Sequence, residues 1–352
     1  MPDSYAATGV NIDAGNEAVA RYREIASRHR DPRILDGIGG FGGCFEFRGY
    51  KDAVLVASTD GVGTKVLVAA RLGRFDTVGQ DLVNHCINDI LCVNAQPLFF
   101  LDYFAVGKLD PDVAAQVVGG VAKACSENAT ALLGGETAEM PGVYAPEHFD
   151  IAGTIVGAVE RTALIDGKLV ADGDAIVGLP ANGLHTNGYS LARNVLAVER
   201  WRDPLPGSGG SIGDALLAVH PCYLACVRAV EAAGVAIHGM AHITGGGLIE
   251  NVPRVLPDHL AARFDRGAWR VPAITDLVVR EARLGVEEAH RTFNMGVGYC
   301  IIVASGDAQR ALDAARVALA THPIPSAAPD AAPAIVGEVE PRHPCGPAVV
   351  LS

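Results

Sequence analysis

Several short stretches of this chain combine residue types that handle phosphate, divalent cations or protons. In DGVGTK (60–65), Asp60, Gly61, Gly63, Thr64 and Lys65 follow an apolar run and open a helical pattern. The spacing is not that of a Walker A loop, G-x-x-x-x-G-K-[ST]. Its glycines still allow close backbone approach, and a helix N-terminus offers free N–H groups to an anion. Lys65 brings a point charge for phosphate and Asp60 an oxygen for Mg²⁺. The same residues also suit an Asp-Gly turn that caps a helix, with Lys65 in solvent.

Over 76–95, Asp81, Asn84, His85 and Asn88 fall at i, i+3, i+4 and i+7, one polar stripe on an otherwise apolar helix, with Asp89 beside it. A buried carboxylate must meet a cation or take up a proton. A metal-bearing cleft meets that condition, and so does a closed hydrogen-bond network. GGETAEM (134–140) places Glu136 and Glu139 after an apolar run, as Mg²⁺ or general-base groups or as exposed loop acids.

GLHTNGYS (183–190) and HITGGG (242–247) set glycines and small polar residues before helices, where a phosphate can bind. His185 and His242 beside them suit substrate orientation, proton transfer or a purely structural role. DGIGGFGG (36–43) contains G-x-G-x-x-G at Gly37, Gly39 and Gly42. A helix precedes it and a strand follows, the reverse of a dinucleotide-binding turn, which excludes the Rossmann reading. A tight turn, or a flap whose N–H groups cover a nucleotide, remains.

The elements that must position these groups follow from periodicity. Helices are expected at 16–30 (closed by Asp31-Pro32), 64–73, 77–95 and 111–128. Strands are expected at CFEFRG (44–49), 53–59, 97–106, ATALLGG and 150–160. Polar turns over 160–174 mark a boundary, giving domains 1–165 and 166–352. The second half restarts with strand 175–180, a helix from 188 and helices around 212–233. It ends in an α/β tail that includes the strands YCIIVA and AIVGEV. This alternation is a mixed α/β class, and 352 residues suffice for two domains.

A net charge of −12 argues against nucleic acid or an anionic membrane as partner. No apolar run reaches the roughly 18 residues of a membrane span. The first residues lack a secretory pattern. Eight cysteines form no CxxC pair, so reduced thiols in a cytoplasmic protein are expected.

Taken in order, SYAATGVNIDAGNEAV, GIGGFGG, STDGVGTK, TVGQDLVNHCINDIL, PLFFLDYFAVGKL, GGETAEMPGVY, GLHTNGYSLAR, AHITGGGLIENVPRVLP and TFNMGVGY resemble the phosphoribosylformylglycinamidine cyclo-ligase (aminoimidazole ribonucleotide synthetase) family. The likeness runs from about residue 4 past residue 300. It implies a PurM-like fold: an N-terminal, dimer-forming β-barrel domain with flanking helices, a C-terminal α/β domain, and a site in the cleft between them. It also implies a homodimer that uses ATP and Mg²⁺ and converts formylglycinamidine ribonucleotide to aminoimidazole ribonucleotide, ADP and phosphate.

Carried over by resemblance, Gly39, Gly40, Gly42, Gly43, Asp60, Gly61, Gly63, Thr64, Lys65 and Asp81 bind ATP. Asp60, Asp81, Asn88, Asp89 and Glu136 supply the Mg²⁺ ligands. Asn187, Gly188, Ser190, Thr244, Gly245, Gly246 and Gly247 contact substrate, and His185, His242 and Lys65 carry the chemistry. Departures include Asn94-Ala95, where a glycine-containing turn is expected, and Pro221, where a basic residue is usual. Competing readings are a sister ATP-using enzyme of the superfamily and a non-catalytic, nucleotide-binding paralogue.

Overall fold

Asp110 caps a helix and Pro111 starts it, the local chemistry with which the first half of the chain begins its parallel crossover. Asp110 accepts from the N–H groups of Asp112 and Val113, and the proline occupies a position whose N–H is not needed. The computed structural model describes residues 9–35, 40–326, 328 and 331–352. These form two units, residues 1–90 with 95–162, and 91–94 with 163–352.

The first unit runs α1 (Ile12–Arg28), β1 (Ala53–Gly61), α2 (Lys65–Leu72), α3 (Val78–Leu91), β2 (Gln96–Val106), α4 (Pro111–Glu127), β3 (Ala131–Glu139) and β4 (Phe149–Glu160). Its strands make one open sheet in the order β1-β4-β2-β3, with β2 and β3 parallel and the other pairs antiparallel. No closed barrel is found among the described residues. The expected strand CFEFRG is absent too, reduced to a single bridge between Ile34 and Phe45. The pairing stops at two backbone hydrogen bonds, from Leu35 N–H to Cys44 and from Glu46 N–H to Arg33, and Gly49 follows at φ +96°.

Strand β2 alternates as a half-covered strand should: Phe100, Asp102 and Phe104 are buried, while Leu101 and Tyr103 are exposed. Burial drives the Asp102 carboxyl up to about 7. Helices α3 and α4 meet backbone to backbone. A Cβ on Gly79 would stand 2.2 Å from the Val117 carbonyl oxygen, and one on Gly120 would stand 2.5 Å from that of Asp76. That contact locks α3, with its polar stripe, against the crossover helix.

The second unit comprises β5 (Ala175–Pro180), α5 (Tyr189–Val195), α6 (Ile212–Leu216), α7 (Leu224–Ala232), β6 (Ile237–His242), α8 (Gly247–Asn251), β7 (Leu260–Phe264), α9 (Ala273–Ala282), α10 (Val286–Thr292), β8 (Val297–Val303), α11 (Ala308–Thr321), β9 (Ala334–Pro341) and β10 (Val349–Leu351). Its sheet order is β10-β7-β9-β5-β8-β6, antiparallel except for the β10–β7 pair. Every residue of β5 and β8 is buried, which explains why both read as continuous apolar runs. Ile176, Ile243, Leu248, Phe264, Val297, Ile302 and Val336 form part of one core cluster, in which Ile243 and Leu248 flank the second glycine-rich loop.

Asn94, in the Asn94-Ala95 segment where the family pattern leads one to expect a glycine-containing turn, takes φ 69°. Asparagine tolerates this region better than other L-residues. Its side chain donates to the Ala163 carbonyl at 3.2 Å and accepts from Arg228. No helix among the described residues is long and apolar enough to cross a membrane. None of the eight cysteines is joined in a disulfide, and Cys44 and Cys345 are exposed.

Candidate active site

In the first unit, chemistry gathers where β1 ends and α3 passes. Asp60 Oδ1 accepts the N–H of Gly61 at 2.7 Å, leaving Oδ2 for His85 Nε2, also at 2.7 Å. His85 and Asp89 lie one helical turn apart, and Asp89 Oδ2 is 3.8 Å from the same nitrogen. Ser58 Oγ donates to that oxygen at 3.1 Å. One ligand atom from each of Asp60, His85 and Asp89 lies within 4.8 Å of the others, a spacing suited to a divalent cation.

Burial alone would lower the His85 pKa. Its hydrogen bond to Asp60 and the charges of Asp89, Asp60 and Asp81 outweigh burial and raise it. Burial likewise pushes the Asp60 carboxyl up, but His85 and the Gly61 N–H pull it below its ordinary value. Periodicity put His85 in the polar stripe but not among the site residues. Its i,i+4 spacing from Asp89 was the signal.

The remaining stripe residues separate by role. Lys65 Nζ lies 2.8 Å from Asp81 Oδ2, and both side chains are fully buried. Burial lowers the Lys65 pKa despite the opposing pull of Asp81. Asn84 Oδ1 accepts from Asn128 at 3.3 Å, a link from α3 to α4, and Asn88 is fully buried. Glu136 is exposed on β3, outside the Asp60–His85–Asp89 group. Glu139, by contrast, is a brace that accepts from Asn11 N–H at 2.6 Å and Leu109 N–H at 2.8 Å.

Gly61, Gly63 and Thr64 form the turn into α2, and Gly63 has φ 56°. Gly40, Gly42 and Gly43 are exposed, though Gly43 lies so close to β3 that a Cβ would stand 2.5 Å from Leu133 Cγ. Gly39 lies outside the described residues.

In the second unit, the two glycine-rich loops meet on the FNMG segment, 293–296. Gly188 ends the first loop at φ 77°, and a Cβ there would stand 2.1 Å from Phe293 Cε1. Asn294 Nδ2 donates to the Gly183 carbonyl at 2.9 Å. A Cβ on Gly247 would stand 1.9 Å from the His290 carbonyl oxygen. Asn251 Nδ2 holds the second loop through the carbonyls of Gly247 (2.8 Å), Gly245 (3.1 Å) and Thr244 (3.4 Å). Asn187 Oδ1 sits 3.2 Å from where a Cβ of Gly245 would be, so the loops touch. Ser190 and Gly245 are exposed, Thr244 and Gly246 half-buried.

His185 adopts φ 59°, an uncommon backbone state that clusters at functional sites. Its ring stacks on His220 with centroids 4.2 Å apart. His220 Nε2 faces His242 Nε2 at 3.0 Å, and Thr186 Oγ1 is 3.4 Å from His220 Nδ1. A Nε2–Nε2 hydrogen bond requires a proton on one of the two facing nitrogens. His220 escaped the sequence reading because it stands in the apolar stretch AVHPCYL, with no local polar pattern. Gly298 makes room for the cluster: a Cβ would stand 1.9 Å from Tyr223 Oη and 2.7 Å from His185 Cε1.

Residues 43–159 match the family described as AIR synthase related protein, N-terminal domain, and 171–322 match the corresponding C-terminal domain. The phosphoribosylformylglycinamidine cyclo-ligase of Desulfitobacterium hafniense is 49% identical over 305 residues, covering 86% of this chain and 90% of its own. That of Thermoanaerobacter pseudethanolicus is 46% identical over 313 residues, covering 88% and 93%. Among solved structures, the hydrogenase maturation protein HypE in complex with ATP aligns with a TM-score of 0.61 at 19% identity, covering 93% of this chain and 88% of its own. That last likeness concerns the fold.

Proposed function

Because the chain belongs to the phosphoribosylformylglycinamidine cyclo-ligase family, we propose that it catalyses the ATP-dependent closure of formylglycinamidine ribonucleotide to aminoimidazole ribonucleotide, a step of purine biosynthesis. The formamide oxygen attacks the γ-phosphoryl group and ADP leaves. The amidine nitrogen then attacks the former formyl carbon, phosphate departs with the formamide oxygen, and a proton is lost as the ring forms. The nucleophile and the electrophile belong to one molecule, so the protein chiefly positions phosphates and stabilises charge. The observation that carries this reading is that the family's strings fold into one built group of side chains in each unit: the carboxylate–histidine group in the first and the paired glycine-rich loops with their histidines in the second.

Asp60 and Asp89 would hold Mg²⁺, with Asp81, Asn88 and Glu136 as the remaining candidates from the family pattern. A bound Mg²⁺ would neutralise charge building on the transferred phosphoryl group. The turn 60–64, Lys65 and the loop around Gly40–Gly43 would contact the nucleotide. Asn187, Gly188, Ser190 and Thr244–Gly247 would hold the substrate ribonucleotide.

His242 would take up the proton released on ring closure. The imidazolium so formed would keep its Nε2–H on His220, whose Nδ1–H goes to Thr186 Oγ1. His185, stacked on His220, holds that ring in plane. A heavy-oxygen label on the formyl group tests the scheme. The label should appear quantitatively in released phosphate, and its retention in water or in the organic product would overturn the phosphorylated intermediate.

We also place this chain in a homodimer whose facing sheets complete a barrel. Leu55, Leu101 and Tyr103 lie exposed on the outer face of the open sheet, the kind of apolar patch that a partner covers. Light scattering should give twice the chain mass, and a monomer at micromolar concentration would reject this arrangement.

A further inference from the structure

The second glycine-rich loop sorts its backbone donors and acceptors onto opposite sides. Asn251, buried at 3% exposure, donates from Nδ2 to the carbonyls of Gly247 at 2.8 Å, Gly245 at 3.1 Å and Thr244 at 3.4 Å. The Thr244 hydroxyl donates to Asn251 Oδ1 at 3.4 Å. These partners fix the amide orientation, since a turned amide would set its oxygen against three carbonyl oxygens. The peptide bonds here are trans, and across a trans plane the N–H points opposite to the C=O. With the Thr244 and Gly245 carbonyls drawn toward Asn251, the N–H groups of Gly245 and Gly246 turn away from it. Neither N–H finds an acceptor among the described residues, whereas the Gly247 N–H bonds back to the Thr244 carbonyl at 3.0 Å. Gly245 is exposed and Gly246 half-buried, so a ligand can reach this edge of the loop.

We propose that Asn251 is a positioning residue of the substrate site, locking the peptide planes of 244–246 so that Gly245 and Gly246 present N–H, not C=O, to the phosphate of the ribonucleotide. This rests on the substrate reading of the loop given above. The loop needs such a lock. Gly246 stands at φ 95° and Gly247 at φ 57°, and glycine lets a peptide plane rotate at little cost. Rotating the plane between Gly245 and Gly246 would replace a donor by a carbonyl oxygen and repel an anion. Glu250 bears on the same edge, because a Cβ on Gly246 would stand 2.8 Å from its Oε2. Arg291 Nε, 2.5 Å from Glu250 Oε1, offsets that charge. The amide suits the task because its NH₂ group brings two donors and no acceptor to the carbonyls, and an aspartate of the same shape reverses this.

The test assays the full chain, Asn251→Asp and Asn251→Ala with MgATP and formylglycinamidine ribonucleotide. Separately, the ¹⁵N-labelled full chain is titrated with inorganic phosphate while its amide resonances are followed. Asn251→Asp should raise KM for the ribonucleotide about thirtyfold, the loss expected for misdirected hydrogen bonds to a charged group. Its kcat and its KM for ATP should stay within about threefold of the unaltered chain, because only ribonucleotide binding is lost. In the unaltered chain the Gly245 and Gly246 N–H resonances should move downfield with saturable phosphate binding, and Asn251→Asp should weaken that binding.

A purely structural role would raise both KM values and lower kcat together, and that result, or an unchanged KM for the ribonucleotide, would overturn the proposal. If both variants fail to fold, the unaltered chain decides, and phosphate that leaves the Gly245 and Gly246 resonances in place sinks the idea. A chain that makes the aminoimidazole product with the same KM in Asn251→Asp keeps the ligase reading and loses this one. A chain that makes no product, yet loses phosphate affinity through Asn251→Asp, does the reverse.

Discussion

At the scale of single residues, a buried ion pair and a buried carboxyl govern how the first unit responds to mutation and pH. Lys65 and Asp81 are fully buried and 2.8 Å apart, so neither can lose its partner without stranding a charge. Lys65→Met should cost about 3–5 kcal/mol in urea unfolding, and adding Asp81→Leu should restore most of it. A single-variant loss below about 1 kcal/mol would mean that Asp81 finds another cation or a proton.

Asp102 acts through pH. Its folded pKa of about 7 lies above the ordinary 3.8, so the native state holds its proton longer than the unfolded chain does. Its contribution is fully present below the unfolded value and is lost as pH rises through the folded one. The accumulated loss of about 4 kcal/mol builds between about pH 4 and pH 7 and is flat above that. Asp102→Asn should remove this slope, and a variant with unchanged pH dependence would relocate the titration elsewhere.

At the scale of elements, what could be read in advance was local, and what could not was contact between distant segments. The stripe Asp81–Asn84–His85–Asn88 is a matter of helical spacing, and α3 presents it as one face. The apolar runs of β5 and β8 announce covered strands by composition. CFEFRG misled because alternating aromatics mimic a strand, whereas its pairing is a single bridge at Phe45. His220 carried no signal, because its partners His242 and Thr186 lie 22 and 34 residues away.

The FNMG brace was legible only as a string. Its purpose appears when Phe293 is found under Gly188. Gly188→Ala must either displace that ring or distort a φ of 77°. We expect a loss of about 1–3 kcal/mol in unfolding of the second unit, with KM for the ribonucleotide raised. Phe293→Leu in the same chain should relieve the steric share of the loss. An unperturbed KM would show that this loop does not meet substrate.

At the scale of the whole molecule, the two units divide the labour that the chemistry demands. The first offers a carboxylate–histidine group beside a phosphate-type turn, and the second offers two glycine-rich loops and a line of histidines. An acidic chain with a net charge of −12 must draw in anionic nucleotides through such local features rather than through its overall field. The comparison that matters most is catalytic. Purified chain incubated with MgATP and formylglycinamidine ribonucleotide should release ADP and form aminoimidazole ribonucleotide in equal amounts, only when both substrates are present. ADP release that ignores the ribonucleotide, or none at all, would contradict the ligase assignment.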